Sequence, residues 1–413
     1  MFESALIRAE RRARTEVRRT VLRFVTGVGW LVRDSSTAVG RSRYSVIHRD
    51  GKMTVRRYHA ASGGRRRRYA IPILLIPPLM VKPFIFDLFP GRSLVEFLLA
   101  RGFRVYLVDF GEPDAADALV TLDDYVLRWV PDACAAVKKD ARAAEISLLG
   151  YCLGATFALA HTAANRDRTV RNIVDIAAPV DVDQLGAFSW VLKVVALQAE
   201  TLVRRIGNVP GGLSSAAFRV LTPAKNVLRY GDLFMNMWNR EYVKGFEAMN
   251  EWIRQFIDYP QEAFLQFSRE FVRKNKFVKG RMRFGRKVAD LRRVRAALLV
   301  IAGRTDRVAP IRPVRAILAA VGSRDKEFIV APGGHMGVFA GQTAPEHVWR
   351  CIADWLEPRS HAFPNAVSRH QERRARSGAD DGAERRRRQS ESAGGRARWR
   401  PAQAGNLPRP QGG

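Results

Sequence analysis

The sequence of 413 residues contains only three cysteines, Cys134, Cys152 and Cys351, and no Cys-x-x-Cys pair. An odd number of widely spaced cysteines does not predict a disulfide framework or a structural zinc site. We therefore expect a reducing compartment, no metal site and no bound cofactor.

Acidic residues are scarce relative to basic ones, since 40 Asp and Glu face 70 Lys and Arg and give a formal net charge of +30. The arginines form short runs, for example at 65–68 and 385–388. A basic surface attracts anions such as lipid head groups, phosphorylated ligands or nucleic acid. No nucleic-acid-binding motif accompanies the charge, so a nucleic-acid partner is not expected. Two interpretations of the basic charge therefore remain: solvated tails, or a docking surface for an anionic partner.

Long hydrophobic runs are also missing. The apolar stretch 21–32 contains Arg23 and is too short to span a bilayer. It fits either an interfacial amphipathic helix or a helix packed on the protein's own core. The first twenty residues mix glutamates with arginines, which is not typical of a secretory signal. These features favour a cytoplasmic protein.

What the chain does contain is an alternation of short apolar runs with helical patterns. Predicted strands span 73–76, 104–108, 145–149, 172–176, 297–302 and 327–330. Predicted helices span 93–100, 122–138 and 347–356, and a further helix follows Cys152. Alternating strands and helices indicate an α/β fold with a mostly parallel sheet flanked by helices.

The alternation stops between 181 and 290, where Trp, Phe and Met are frequent and no parallel strands are evident. We interpret this stretch as a helical cap inserted between two segments of the core. The predicted organisation is a basic N-terminal extension (1–70), a first core segment (71–180), the cap (181–290), a second core segment (291–357) and a disordered basic tail (358–413).

The most informative motif is Gly150-Tyr151-Cys152-Leu153-Gly154, which lies between a predicted strand and a predicted helix. This is the pattern of a nucleophile elbow, with Cys152 in place of the usual serine. Glycines are needed because a side chain at either position would collide with the neighbouring strand or helix. The alternative is a small buried cysteine in an apolar turn.

Two further residues complete a predicted triad. Asp306 and His335 each follow a predicted strand, in the chain order nucleophile, acid, histidine that an α/β-hydrolase fold requires. His335 would remove the thiol proton and Asp306 would orient the imidazole. Asp109 and Asp124 are competing carboxylates, but neither lies on a loop in the expected order. A capping aspartate and a loop histidine are the alternative interpretations.

An oxyanion hole requires two backbone N–H groups near the nucleophile. One should belong to Leu153, directly after Cys152. The second should come from the loop after the first predicted strand, which begins Pro77-Pro78. Because proline has no N–H, Leu79 or Met80 is the first possible donor.

These features together resemble the polyhydroxyalkanoate (PHA) synthases, most closely the shorter class III catalytic subunit. The resemblance covers about residues 70–357. It is carried by IPPLMVKPFIFDLFPGRSLVEFLLARGFRVYLVDFGEP, TLDDYV, LLGYCLGATFALA, IGNVPGGLSSAAFRVLTP, FVRKNKFVKG, IAGRTDRVAP and GGHMGVFAG. The resemblance implies polymerisation of (R)-3-hydroxyacyl-CoA with release of CoA, through a thioester on Cys152 supported by His335 and Asp306.

The resemblance also implies partners: acyl-CoA, the growing polyester, a helper subunit, a homo-oligomer or hetero-complex, and the surface of polyester granules in the cytoplasm. Two other hypotheses remain open. One is a cysteine-nucleophile thioesterase or esterase on the same scaffold, which would release acid without polymer. The other is a non-catalytic protein that binds granules or membranes, against which the complete triad argues.

Overall fold

The computed structural model describes residues 39–60, 68–220 and 231–361, together with isolated positions between 15 and 22. Its centre is an eight-stranded sheet in the order β1-β2-β4-β3-β5-β6-β9-β10, and β7 and β8 form a separate hairpin. The strands are β1 (Tyr44–Asp50), β2 (Met53–Tyr58), β3 (Ile73–Ile76), β4 (Val105–Asp109), β5 (Ile146–Tyr151), β6 (Val170–Ile176), β7 (Arg283–Phe284), β8 (Lys287–Val288), β9 (Ala297–Gly303) and β10 (Lys326–Ala331).

Six of these strands, from β4 to β10 in the sheet order, run parallel to one another. Every residue of β3 and of β5 is buried. Continuous burial is typical of a parallel strand that is covered on both faces, because no side of it meets water. The prediction of a mostly parallel sheet flanked by helices is confirmed.

The two remaining strands, β1 and β2, were missed in the sequence. They lie within the basic segment 1–70 and add an antiparallel edge to the sheet, with β2 pairing to β4. Arg56 forms a salt bridge with Asp109 and Arg57 with Asp140, so some of the basic charge is neutralised on the sheet itself. Arginine and other polar residues within both strands hid the strand pattern in the sequence.

The described helices connect and cover the strands. They are α1 (Leu94–Arg101), α2 (Val130–Ala141), α3 (Leu153–Ala164), α4 (Ala187–Ile206), α5 (Gly211–Val220), α6 (Arg240–Arg254), α7 (Gln261–Gln266), α8 (Ile311–Arg315), α9 (Ile317–Ala320), α10 (His335–Ala340) and α11 (Arg350–Leu356). Three π-helical turns, Asp124–Trp129, Phe267–Arg273 and Pro345–Trp349, lead into or extend these helices. Short 3₁₀ turns lie at Pro83–Phe86, Ala115–Asp117, Val182–Leu185, Leu291–Arg293 and Glu357–Arg359.

Local signals agree with several of these boundaries. The Ser93 side chain accepts a hydrogen bond from the Glu96 N–H at 3.0 Å, which caps α1 as its sequence predicts. Between β6 and β9, the described portion of the chain is helical apart from the β7–β8 hairpin.

The C-terminal segment 358–413 was predicted to be disordered. Its first residues instead belong to a turn, Glu357–Arg359, which Arg359 joins to Asp325 through a bidentate ion pair at 2.8 and 2.9 Å. Residues from 362 onward lie outside the described portion of the chain. Within the described ranges, no helix has the length and apolar character needed to cross a membrane.

Candidate active site

The turn that carries Cys152 is tight and strained. Cys152 follows β5 directly, precedes α3, and has φ 52° and ψ −122°, a conformation that non-glycine residues seldom adopt. A Cβ on Gly150 would lie 2.3 Å from the Ala155 backbone, and one on Gly154 would lie 2.1 Å from the Ile76 carbonyl oxygen. The two glycines therefore allow the strand, the turn and the helix to pack together, and they hold Cys152 at the start of α3.

Two neighbouring strands bring Asp306 to His335. β9 and β10 pair in parallel with Gly303 opposite Ala331, so the loops after both strands leave from the same edge of the sheet. The Thr305 N–H donates to the Gly333 carbonyl at 2.9 Å, which ties the two loops together. The Asp306 carboxylate accepts hydrogen bonds from the Val308 and Ala309 N–H groups, both at 2.8 Å, and is thereby fixed in orientation.

The imidazole of His335 lies between the other two side chains. Its Nδ1 is 2.8 Å from Asp306 Oδ2, and because a carboxylate can only accept, Nδ1 carries the proton of this bond. The ring also forms a side-chain hydrogen bond with Cys152, for which Nε2 is the remaining nitrogen. The structure thus brings the three predicted triad residues into one hydrogen-bonded chain.

The electrostatic surroundings of His335 favour the charged form of its imidazole. Burial alone would lower the pKa of His335, but electrostatic interaction with Cys152 and the hydrogen bonds to Asp306 and Cys152 raise the pKa to about 10. An imidazolium beside a thiolate is the arrangement that supplies a nucleophilic sulfur without a strong external base.

The other two cysteines lie in different environments. Cys134 is fully buried, and burial raises the pKa of its thiol. Burial followed by the charges of Glu327 and Asp354 raises the pKa of Cys351 to about 11. Both thiols therefore stay protonated at neutral pH, which leaves Cys152 as the described cysteine with a basic partner.

The two carboxylates that compete with Asp306 in the sequence, and the core histidine His161, are occupied elsewhere. Asp109 is paired with Arg56, and Asp124 accepts hydrogen bonds from the N–H and the hydroxyl of Thr121. The buried His161 contacts Asp167 at 3.1 Å and so is a satisfied core histidine. None of these three residues is joined to Cys152 by a hydrogen bond in the described structure.

The predicted oxyanion donors lie near the elbow. Leu153 is the first residue of α3, so its N–H has no partner within the helix. The close approach of Gly154 to Ile76 and Pro77 brings the loop after β3 to the same place. Met80 in that loop has φ 68°, another strained backbone, and its carbonyl accepts from the Ile257 N–H at 2.9 Å. This contact fixes the loop against the chain segment that precedes α7.

Tyr151 supports the site but was not singled out in the sequence. Its hydroxyl donates to the His335 carbonyl oxygen at 3.1 Å, and its ring stacks on Phe339 with centroids 4.7 Å apart. Its position directly before the nucleophile could have identified it in the sequence. Tyr151 therefore links the elbow to the start of α10, and acts as a positioning residue for His335.

A second tyrosine near the site, Tyr259, was also missed. Its side chain is buried, and its hydroxyl has no hydrogen-bond partner within the described structure. Burial, and then electrostatic interaction with Tyr125 and Cys152, raise the pKa of Tyr259 well above the ordinary value. It comes from the segment 181–290, where sequence alone gave no indication which aromatic residues approach the nucleophile.

Asp175 is a buried carboxyl group one strand away from the elbow. It lies in β6 opposite Gly150, and its Oδ1 accepts a hydrogen bond from the Ala178 N–H at 3.2 Å. Its Oδ2 has no partner within the described structure. Burial raises the pKa of Asp175 to about 8, against a smaller lowering by the bond from Ala178. The carboxyl group is therefore mostly protonated at neutral pH.

Among the described residues, no group of three or more His, Cys, Asp or Glu side chains is arranged to hold a metal ion.

The model of the alpha/beta hydrolase family matches residues 73–348.

Curated relatives match most of the chain. A poly(3-hydroxyalkanoate) polymerase subunit PhaC of Haloferax mediterranei is 32% identical over 79% of this chain and 66% of its own length. Proteins of the same name from Thiocystis violacea and Allochromatium vinosum are 30% and 31% identical, over 81% of this chain and 93% of each relative.

Proposed function

This chain belongs to the poly(3-hydroxyalkanoate) polymerase PhaC family within the alpha/beta hydrolases, and from that premise we propose that it polymerises (R)-3-hydroxyacyl-CoA into polyester. It is then an acyltransferase that works through a thioester on Cys152. The observation that carries the proposal is the hydrogen-bonded chain from the Cys152 thiol through His335 to the anchored carboxylate of Asp306.

In the first step, the Cys152 thiolate attacks the thioester carbonyl carbon of the acyl-CoA. The oxyanion that forms accepts hydrogen bonds from the Leu153 N–H and from Leu79 or Met80. When the carbonyl re-forms, the bond to the CoA sulfur breaks, and the CoA leaves with the proton of the His335 imidazolium. The acyl group is then held as a thioester on Cys152.

In the second step, neutral His335 removes the proton from the 3-hydroxyl group of another acyl unit. The hydroxyl oxygen attacks the thioester carbonyl, an ester bond forms, and the Cys152 thiolate leaves. The product is one unit longer and still a CoA thioester, so it can acylate Cys152 again. Asp306 holds the Nδ1–H of the imidazole and stabilises its positive charge in both steps.

A thiolate suits this reaction better than an alkoxide would. The thioester on Cys152 keeps much of the free energy of the CoA thioester, so transfer to an alcohol stays favourable. Water would compete as the acceptor, and we propose that the aromatic-rich segment 181–290 limits its entry.

We extend the proposal to the partners. The relatives are named as subunits, which supports a helper subunit for this chain. Helix α4 carries apolar side chains that are exposed to water and lie in two neighbouring rows along the helix. One row contains Phe188, Val191, Val195, Leu202 and Ile206, and the other contains Trp190, Val194 and Leu197. We assign this face to the surface of the apolar polyester granule.

The test is a turnover assay with (R)-3-hydroxybutyryl-CoA, with and without a candidate helper subunit. Free CoA is measured with a thiol reagent, turbidity reports polymer, and chromatography separates polymer from monomeric acid. We expect CoA release and polymer from the wild type, and a loss of both by at least about 10⁴-fold in Cys152→Ala. Cys351→Ala, which removes a half-buried thiol elsewhere, is the matched control and should keep full turnover.

The same assay can contradict the proposal. Monomeric 3-hydroxy acid without polymer, under every condition, would identify a hydrolase instead. Turnover that survives in Cys152→Ala would refute the thioester mechanism. Sedimentation of the polymer tests the granule assignment, because Trp190→Gln combined with Val195→Gln should reduce the bound fraction of protein without changing CoA release.

A further inference from the structure

The opposite edge of the sheet carries a basic cavity that the proposed reaction does not use. The cavity has a volume of about 1100 Å³ and lies where β5, β6, β9 and β10 begin. Its described lining contains eight arginines and three carboxylates, which leaves a formal charge of +5. This concentration of arginine in one concave place is the feature to be explained.

The three carboxylates in the lining are already engaged. Asp325 binds Arg359 in two hydrogen bonds, Asp167 contacts His161 and Thr169, and Glu145 lies 3.4 Å from His361. Asp290, just outside the lining, pairs with Arg292 and Arg293. Even with these four carboxylates counted, the arginines of the lining keep an excess of positive charge.

Three of those arginines form no direct ion pair. Arg168, Arg171 and Arg324 are exposed, and none of them forms a side-chain hydrogen bond or salt bridge with another residue in the described portion of the chain. Arg171 interacts with Asp325 only through its charge, at longer range. Like charges held close together repel one another, and an anion bound among them would relieve the repulsion. The arrangement therefore points to an anionic ligand with more than one charge.

We propose that this cavity binds a linear oligophosphate. The planar guanidinium group of arginine binds phosphate oxygens through two parallel hydrogen bonds, and several arginines together select an anion that carries several phosphates. No aromatic residue is found in the described lining, so nothing there stacks on a nucleobase. The volume is that of a small-molecule pocket, which favours a short phosphate chain over duplex nucleic acid.

This site is separate from the catalytic one. β5 runs from Ile146, beside the cavity, to Tyr151, beside the nucleophile, and six residues of strand span about 20 Å. An oligophosphate in the cavity would not contact Cys152, so it should not compete with acyl-CoA for the elbow. The inference is independent of the reaction that the protein catalyses.

The experiment measures binding of inorganic tripolyphosphate to the full-length protein by isothermal titration calorimetry at a fixed, moderate ionic strength. The test variant replaces Arg168, Arg171 and Arg324 by glutamine. The matched control replaces Arg281, Arg283 and Arg286, which are exposed and lie outside the lining, and it removes the same charge. Circular dichroism of both variants verifies that they fold.

We expect the affinity for tripolyphosphate to fall at least about tenfold in the test variant and less than about twofold in the control. Orthophosphate should bind much more weakly than tripolyphosphate to the wild type. Equal losses in the two variants would mean that binding is spread over the basic surface, and would overturn the site. Tighter, arginine-dependent binding of a 20-base-pair duplex would overturn the choice of ligand in favour of nucleic acid.

Discussion

The two edges of the central sheet are built from the same parallel strands but differ in packing and charge. At the carboxyl edge, Cys152, His335 and Asp306 are held by strained or hydrogen-bonded backbone with almost no spare volume. At the amino edge, arginines surround an open cavity of about 1100 Å³. The first arrangement fixes reacting atoms, whereas the second accumulates charge that only a ligand can neutralise. The carboxyl edge, where we propose the reaction, is tightly packed and its charges are paired. The amino edge, where we propose ligand binding, is open and has an excess of positive charge.

The largest effect on stability is expected when an atom is added at the tightly packed elbow. Gly154→Ala places a Cβ 2.1 Å from the Ile76 carbonyl oxygen, so strand, turn or helix must move. We expect a loss of at least about 4 kcal/mol in the free energy of unfolding, together with loss of turnover. Gly212→Ala in α5, where the added Cβ meets nothing within 4 Å, is the control and should be neutral or slightly stabilising.

Urea unfolding followed by circular dichroism measures both variants. Equal stability of Gly154→Ala and Gly212→Ala would show that the elbow can relax. The contrast between a rigid carboxyl edge and an open amino edge would then be unfounded.

The charge side of the comparison is tested by Asp306→Asn. An amide can donate to Nδ1 and hold the imidazole in the wrong tautomer, so turnover should fall about 10²–10⁴-fold. Burial lowers the pKa of His335 and Asp306 is among the groups that raise it, so this pKa should also fall. Turnover is followed as CoA release, and the pKa by NMR titration of the imidazole.

Two controls belong to this measurement. Asp183→Asn, at a surface carboxylate paired with Lys193, should keep full turnover. The triple glutamine variant of Arg168, Arg171 and Arg324 should change turnover less than about twofold, because the cavity is remote from Cys152. A similar loss in that variant would show that the two edges are coupled.

A smaller effect is expected from Asp175, which lies in β6 beside the elbow. Burial raises its pKa from the ordinary carboxyl range to about 8, so between about pH 4 and pH 8 the folded state binds more protons than the unfolded state. Stability contributed by the protonated carboxyl is therefore present at low pH and is lost as the pH rises through 8.

Asp175→Asn keeps the acceptor for the Ala178 N–H and removes the ionisation. It should stabilise the protein by several kcal/mol at pH 9 and by only about 1–2 kcal/mol at pH 5. Thermal unfolding at the two pH values checks this. A stabilisation that is equal at both pH values would mean that Asp175 does not carry the raised pKa.

Most of the sheet could be predicted from the sequence because its parallel strands are apolar throughout. Each predicted strand lies within one or two residues of an observed one, for example 145–149 against Ile146–Tyr151. β1 and β2 were missed because charged and polar residues interrupt their short apolar stretches, as in YSVIHRD and MTVRRY, so that they resemble a polar loop. The domain boundaries and the roles of Cys152, Asp306 and His335 remain predictions, with geometry that fits the roles.

The elbow and the order of the candidate triad can be predicted from the amino-acid sequence, because glycine spacing and strand–turn–helix context are local properties. Which distant side chains approach Cys152, and which arginines share a cavity, depends on tertiary packing. Asp175 and Tyr259 lie near the site because separate strands and segments meet there. Arg168, Arg171 and Arg324 likewise come together only because parallel strands begin at one edge. Local pattern fixes backbone geometry, whereas burial and electrostatics depend on contacts between residues that are far apart in the chain.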